Sequence, residues 1–227
     1  MNSPASRPQE RYDPHAHQPL RAAGPDPEKA AATMILLHGR GASAEDILGI
    51  HDAIGLSTLA ALAPEAAGHT WYPYSFLAPL DSNQPYLDSA LNRIATIVSD
   101  LLSRGIPSQR IILLGFSQGA CLTSEFIARH PRRYGAALAL TGGLIGPDST
   151  PRNYPGSLAG TPVFLGTSDP DPHVPVQRVN DTRDVLTRMG AVVQFRTYPG
   201  MPHTINDEEL DICRAMLQKI VAAPKES

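Results

Sequence analysis

The chain has 227 residues, 42% of them hydrophobic and 18% charged, with a net charge of −3. That size fits one domain with a substantial core, and the weak negative charge argues against nucleic acid or an anionic membrane as partner. No apolar run approaches the roughly 20 residues of a membrane span, and no basic-then-apolar leader pattern opens the sequence, so a cytoplasmic protein is expected.

Residues 1–29 hold Pro4, Pro8, Pro14, Pro19, Pro25 and Pro27 and few large apolar side chains. They read as an extended or partly disordered arm, with His15 and His17 exposed to solvent rather than binding a metal. A single α/β domain is expected over residues 30–227. Thr33 to Leu37 predicts a first buried strand, which runs into His38-Gly39-Arg40-Gly41. A loop of this kind can offer a backbone N–H to an oxyanion, here that of Arg40, while His38 is expected to brace the loop. Ser43 caps a short helix with Glu45 and Asp46 in its first turn. Thr58 to Ala63 predicts another strand. Residues 64–85 then form a long loop with Trp71, Tyr72, Tyr74, Phe76 and Leu77, which suits either a satellite hydrophobic cluster or the wall of an apolar acyl or aryl pocket.

Gln84 to Ser103 carries an apolar face at helical spacing and stops at Gly105. Ile111-Ile112-Leu113-Leu114 suits a buried parallel strand. Gly115-Phe116-Ser117-Gln118-Gly119 follows, then a helical pattern to Arg129. The serine therefore sits on a sharp strand-to-helix turn, at a helix N-terminus that favours negative charge. Ala136 to Leu140, Pro162 to Leu165 and Val192 to Tyr198 predict three more strands. Helices are expected from about Gln177 to Met189 and from Asp207 to about Val221. Cys121 and Cys213 fall in helical patterns and are expected to be reduced packing residues. Alternating strands and helices imply a mostly parallel, doubly wound sheet with helices on both faces, and ligand sites in such sheets lie off the carboxyl ends of the strands.

Three residues fall there. Ser117 is a weak nucleophile until a base takes its proton. His203, in a short loop after the last strand, is the best-placed base. An acid must orient that imidazole, and Asp169 and Asp171 share the preceding strand-to-helix loop, with nothing in their spacing to choose between them.

Gly115-Phe116-Ser117-Gln118-Gly119-Ala120, Leu37-His38-Gly39-x-Gly41, Asp171-x-x-Val174-Pro175 and Pro202-His203 together resemble the phospholipase/carboxylesterase branch of the α/β-hydrolases, over about residues 33–221. The resemblance implies an α/β-hydrolase fold without a large cap. It makes Asp171 the triad acid, Asp169 its neighbour, and the N–H groups of Arg40 and Gln118 the oxyanion donors. It implies no cofactor and no metal, a small-molecule ester as substrate, and a cytoplasmic enzyme of a family in which many members form homodimers. The sequence departs from the family at Arg40, often a short aliphatic residue, and at Gly166-Thr167, often a His-Gly pair. The expected activity is ester hydrolysis through an acyl-enzyme on Ser117, on short-chain or aryl esters. Alternatives are an acyl-protein thioesterase or lysophospholipase with the same triad, and an inactive ligand-binding module on the same fold. Trp71, Tyr72, Phe76, Leu77, Leu144, Val174 and Met201 are the candidate pocket residues.

Overall fold

The computed structural model describes residues 12–223. Seven strands form one sheet: β1 (Leu20–Ala23), β2 (Ala32–Leu37), β3 (Leu59–Pro64), β4 (Ile111–Phe116), β5 (Ala136–Leu140), β6 (Pro162–Asp169) and β7 (Val192–Pro199). Their order is β1-β3-β2-β4-β5-β6-β7. Every pairing is parallel except that of β1 with β3. All residues of β2, β3 and β5 are buried, which is why these strands are apolar runs rather than alternating ones: helices cover both faces.

The helices are α1 (Ala44–Ile54), α2 (Tyr86–Ser103), α3 (Gln118–Arg129), α4 (Val176–Arg188) and α5 (Asp207–Ala222). Side chains of α2, α3 and α4 pack into one core on one sheet face, those of α1 and α5 into a second core on the other. Ser43 closes a capping box with Asp46 at the start of α1, and Asn206 closes one with Glu209 at the start of α5. Both cysteines are buried and unpaired. Among the described residues no helix is long and apolar enough to cross a membrane.

The order of winding reverses between β2 and β4, which lie side by side although β3 and α2 separate them in sequence. Such a switch point opens a crevice at the carboxyl ends of the two strands. The loop after β2 is His38–Ser43, and the residue after β4 is Ser117.

Two expectations need correction. The arm expected over residues 1–29 is, in its described part, built into the domain: Leu20–Ala23 pairs antiparallel with β3, Leu20 opposite Pro64. His15 is fully buried rather than exposed; its Nε2–H donates to Trp71 O at 2.9 Å and its Nδ1 accepts Ala67 N–H at 3.0 Å. Residues 1–11 of the expected arm lie outside the described residues. Strand β6 also runs beyond Leu165 to Asp169. The polar residues Thr167 and Ser168 continue the parallel pairing with Thr197 and Tyr198 and are buried there, so sheet register overrides their turn-like composition.

Candidate active site

Ser117 adopts φ 54° and ψ −117° between β4 and α3, a region that side chains other than glycine rarely enter and that costs about 1–3 kcal/mol. The turn is held by Ser117 N–H on Leu140 O and Cys121 N–H on Ser117 O, both at 3.0 Å. Two glycines make room for it. A Cβ on Gly115 would lie 2.2 Å from Gly119 O, and a Cβ on Gly119 would lie 1.9 Å from Leu37 O. The end of β4, the start of α3 and the end of β2 thus meet at backbone contact, with the serine hydroxyl above them.

The loops after β6 and β7 bring the other two groups. His203 Nε2 is 2.9 Å from Ser117 Oγ, and His203 Nδ1 is 2.7 Å from Asp171 Oδ2. Asp171 is fixed in turn: its Oδ1 accepts the N–H groups of His173 and Val174 at 2.8 Å each, and its Oδ2 accepts the Ser168 hydroxyl at 2.8 Å. Burial works to raise its pKa, but hydrogen bonds from His203, these two amides and Ser168 outweigh it and hold the carboxyl below its ordinary value. Asp169 instead ends β6, and its carbonyl accepts Gly200 N–H. The His203 ring packs against Phe116 and His173, with centroids 5.2 and 4.9 Å away.

A cavity of about 460 Å³ opens beside these groups. Arg40 and Gln118 both line it, as do Tyr72, Phe76 and Val174. The other four expected pocket residues lie elsewhere. Trp71 is fully buried behind the wall, its indole N–H on His38 O at 2.9 Å. Leu77 packs against the larger core, and Leu144 is buried within it. The Met201 sulfur is occupied by the Asn206 amide. In their place stand Phe116, Cys121, Tyr74 and His173. Cys121 lies one helical turn after Ser117, on the same face of α3, a spacing that was available in the sequence. Its thiol is pushed up to about 12 by burial, which leaves it an inert wall.

His38 is buried below the loop after β2. Its Nδ1–H donates to Gly39 O at 2.8 Å and its Nε2 accepts Ala66 N–H at 3.1 Å. The bond accepted by Nε2 needs the neutral ring, and desolvation lowers its pKa accordingly. The Arg40 guanidinium donates to the carbonyls of Pro73 (2.9 Å), Tyr72 (2.9 Å) and Tyr74 (2.7 Å).

An imidazole bridging a hydroxyl and a carboxylate can take the hydroxyl proton and hold the resulting charge. Residues 23–221 match the family model described as Phospholipase/Carboxylesterase. The chain belongs to this family. It is 43% identical to the phospholipase/carboxylesterase of Dyadobacter fermentans DSM 18053, whose crystal structure superposes with a TM-score of 0.85 over 88% of this chain and 96% of that one. Arabidopsis thaliana SOBER1 shares the fold at 20% identity, with a TM-score of 0.72 over 84% of this chain and 99% of that one. Among curated relatives, acyl-protein thioesterase 1 of Saccharomyces cerevisiae is 29% identical over 142 residues, 60% of each chain. The protein of the same name from Debaryomyces hansenii is 34% identical over 106 residues, 46% of each. The match thus spans about half to three-fifths of these curated relatives.

Proposed function

We propose that this member of the phospholipase/carboxylesterase family is a serine hydrolase of carboxylic esters with short acyl chains or aryl groups. The observation that carries the proposal is the continuous relay Ser117–His203–Asp171, at 2.9 and 2.7 Å, beside a small cavity. Ser117 Oγ attacks the ester carbonyl as His203 Nε2 takes its proton. The carbonyl oxygen becomes an oxyanion facing the N–H groups of Arg40 and Gln118. His203 returns the proton to the leaving alcohol. Water, deprotonated by the same imidazole, then cleaves the acyl-enzyme and releases the acid. Asp171 keeps the proton on His203 Nδ1 and stabilises the imidazolium. A cavity of about 460 Å³ lies toward the lower end of small-molecule sites, roughly 300–1,000 Å³, which favours a compact ester. A cytoplasmic location and a homodimer belong to the same proposal, supported by the habits of the family and, for the location, by the two unpaired buried cysteines.

Hydrolysis of p-nitrophenyl acetate and butyrate tests it. Ser117→Ala should abolish turnover and labelling by a fluorophosphonate probe while leaving the circular dichroism unchanged; full turnover in that variant would end the proposal. The second reading is cleavage of thioesters on acylated proteins, favoured by the names of the yeast relatives. A rate optimum at long acyl chains, rather than at butyrate or shorter, would select it.

A further inference from the structure

The segment Trp71–Tyr74 has no strand or helix to satisfy its backbone; Trp71 and Tyr72 are buried while Pro73 and Tyr74 are exposed, and the buried polar groups must find partners. The side chains that supply many of them are those of Arg40 and Gln118. Arg40 takes the carbonyls of Tyr72, Pro73 and Tyr74. Gln118 Oε1 accepts Trp71 N–H at 2.9 Å, and its Nε2–H donates to Tyr72 O at 2.9 Å. The Trp71 indole N–H on His38 O ties the same stretch to the loop after β2, and the Gly41 N–H on His69 O at 2.8 Å ties the residues just before it. From the far side, His15 holds Trp71 O and Ala67 N–H.

We propose that the aromatic segment 71–74 braces the oxyanion hole, through the side chains of Arg40 and Gln118, and does not serve only as a pocket wall. This rests on the proposed role of those two residues' backbone amides. Each residue then acts twice: its N–H faces the reacting carbonyl, while its side chain grips the segment against which the substrate packs. A guanidinium suits the task because its planar fork holds several donors in fixed directions, whereas a lysine ammonium gathers its three donors on one nitrogen at the end of a flexible stem and an aliphatic side chain has none. This gives a physical reason for an arginine at position 40, where the family resemblance leads one to expect a short aliphatic side chain. A substrate group that seats against Tyr72 and Tyr74 steadies the segment, and through it the two amides. Filling the pocket and polarising the carbonyl thereby become one event.

The test uses Arg40→Met and Gln118→Met, which keep both backbone amides and remove only the grip. Steady-state kinetics on p-nitrophenyl butyrate should show kcat falling about 10- to 100-fold with KM changing less than about threefold, because misplacing a preorganised donor costs the transition state rather than ground-state binding. Inhibition by a trifluoromethyl ketone, whose hemiketal oxyanion occupies the same hole, should weaken in step with kcat, and Arg40→Lys should recover part of both. A rise in KM at constant kcat would reduce the segment to a wall and overturn the proposal, as would unchanged kinetics. If Arg40→Met does not fold, Gln118→Met alone carries the kcat and inhibitor readouts. Ser117→Ala separates the two levels. Hydrolysis surviving that change sinks the hydrolase reading itself, whereas Ser117-dependent hydrolysis with kcat intact in both methionine variants sinks only the brace.

Discussion

The contact between Gly119 and the end of β2 allows a quantitative expectation. In Gly119→Ala the new Cβ would sit 1.9 Å from Leu37 O, 2.5 Å from Leu37 C and 2.8 Å from His38 O. Real Cβ contacts do not fall below about 3.0 Å, so α3 and β2 must separate by roughly 1 Å. All three atoms are backbone, and no rotamer change relieves them. Overpacking of this kind costs about 1–3 kcal/mol and more when it cannot relax, so a loss near or above 3 kcal/mol is expected in urea unfolding. The same displacement parts the loop that carries the Arg40 amide from the start of α3 that carries the Gln118 amide. A misplacement of about 1 Å can cost on the order of 100-fold, and it should fall on kcat. Gly49→Ala is the contrasting change: Gly49 lies inside α1 with nothing within 4 Å of its would-be Cβ. Alanine there should stabilise by about 0.5–1 kcal/mol and leave kinetics untouched. A Gly119→Ala protein with parental unfolding midpoint and kcat would refute the reasoning.

Asp171→Asn should lower kcat by about 10³–10⁴-fold, because the amide favours the wrong imidazole tautomer, while Asp169→Asn should cost less than tenfold; the reverse order would move the acid to Asp169. Burial holds His15 and His38 below their ordinary 6.5. The unfolded chain therefore binds more protons than the folded one as pH falls through about 6.5, and urea midpoints should drop on that side. Glu209 acts in the opposite sense. Burial pushes it from 4.5 up to about 7, so its contribution is present below 4.5 and lost as pH rises to about 7, at most about 3 kcal/mol. Glu209→Gln, which keeps a capping-box partner for Asn206, should make stability climb more steeply with pH across that window; an unchanged slope would contradict the assignment. Both cysteine thiols are pushed up to about 12 by burial, so iodoacetamide at pH 8 should modify neither in the native protein and both after unfolding.

What could be read in advance was what repeats or punctuates. The helix Gln118–Arg129 and the strand Ala136–Leu140 carry their periods and breakers in their own residues. Ser117, the Arg40 loop and His203 lie at strand ends, where parallel sheets place their sites. The acid could not be chosen from spacing, because its assignment depends on which carboxylate the turn through His173 and Val174 folds toward His203. Strand β1 is four residues long, and its strand character comes from the edge of β3 rather than from its own pattern. His15 gave no signal, since its partners Ala67 and Trp71 stand 52 and 56 positions away. The pocket expectation failed in part for a similar reason. Trp71 and Tyr72 are adjacent and alike in chemistry, yet only the second lines the cavity, and in an aperiodic loop nothing local decides which ring turns inward.

The burial of His15 bears on how the protein should be handled in the laboratory. A shortened version beginning at residue 30, where composition suggests a clean start, would discard both this imidazole and the outermost strand. It would leave β3 as a bare sheet margin open to unwanted pairing, and the Trp71 carbonyl without its donor. Such a fragment would keep every chemical group of the relay and still be a poorer catalyst, because its losses fall on the scaffold behind the reacting centre.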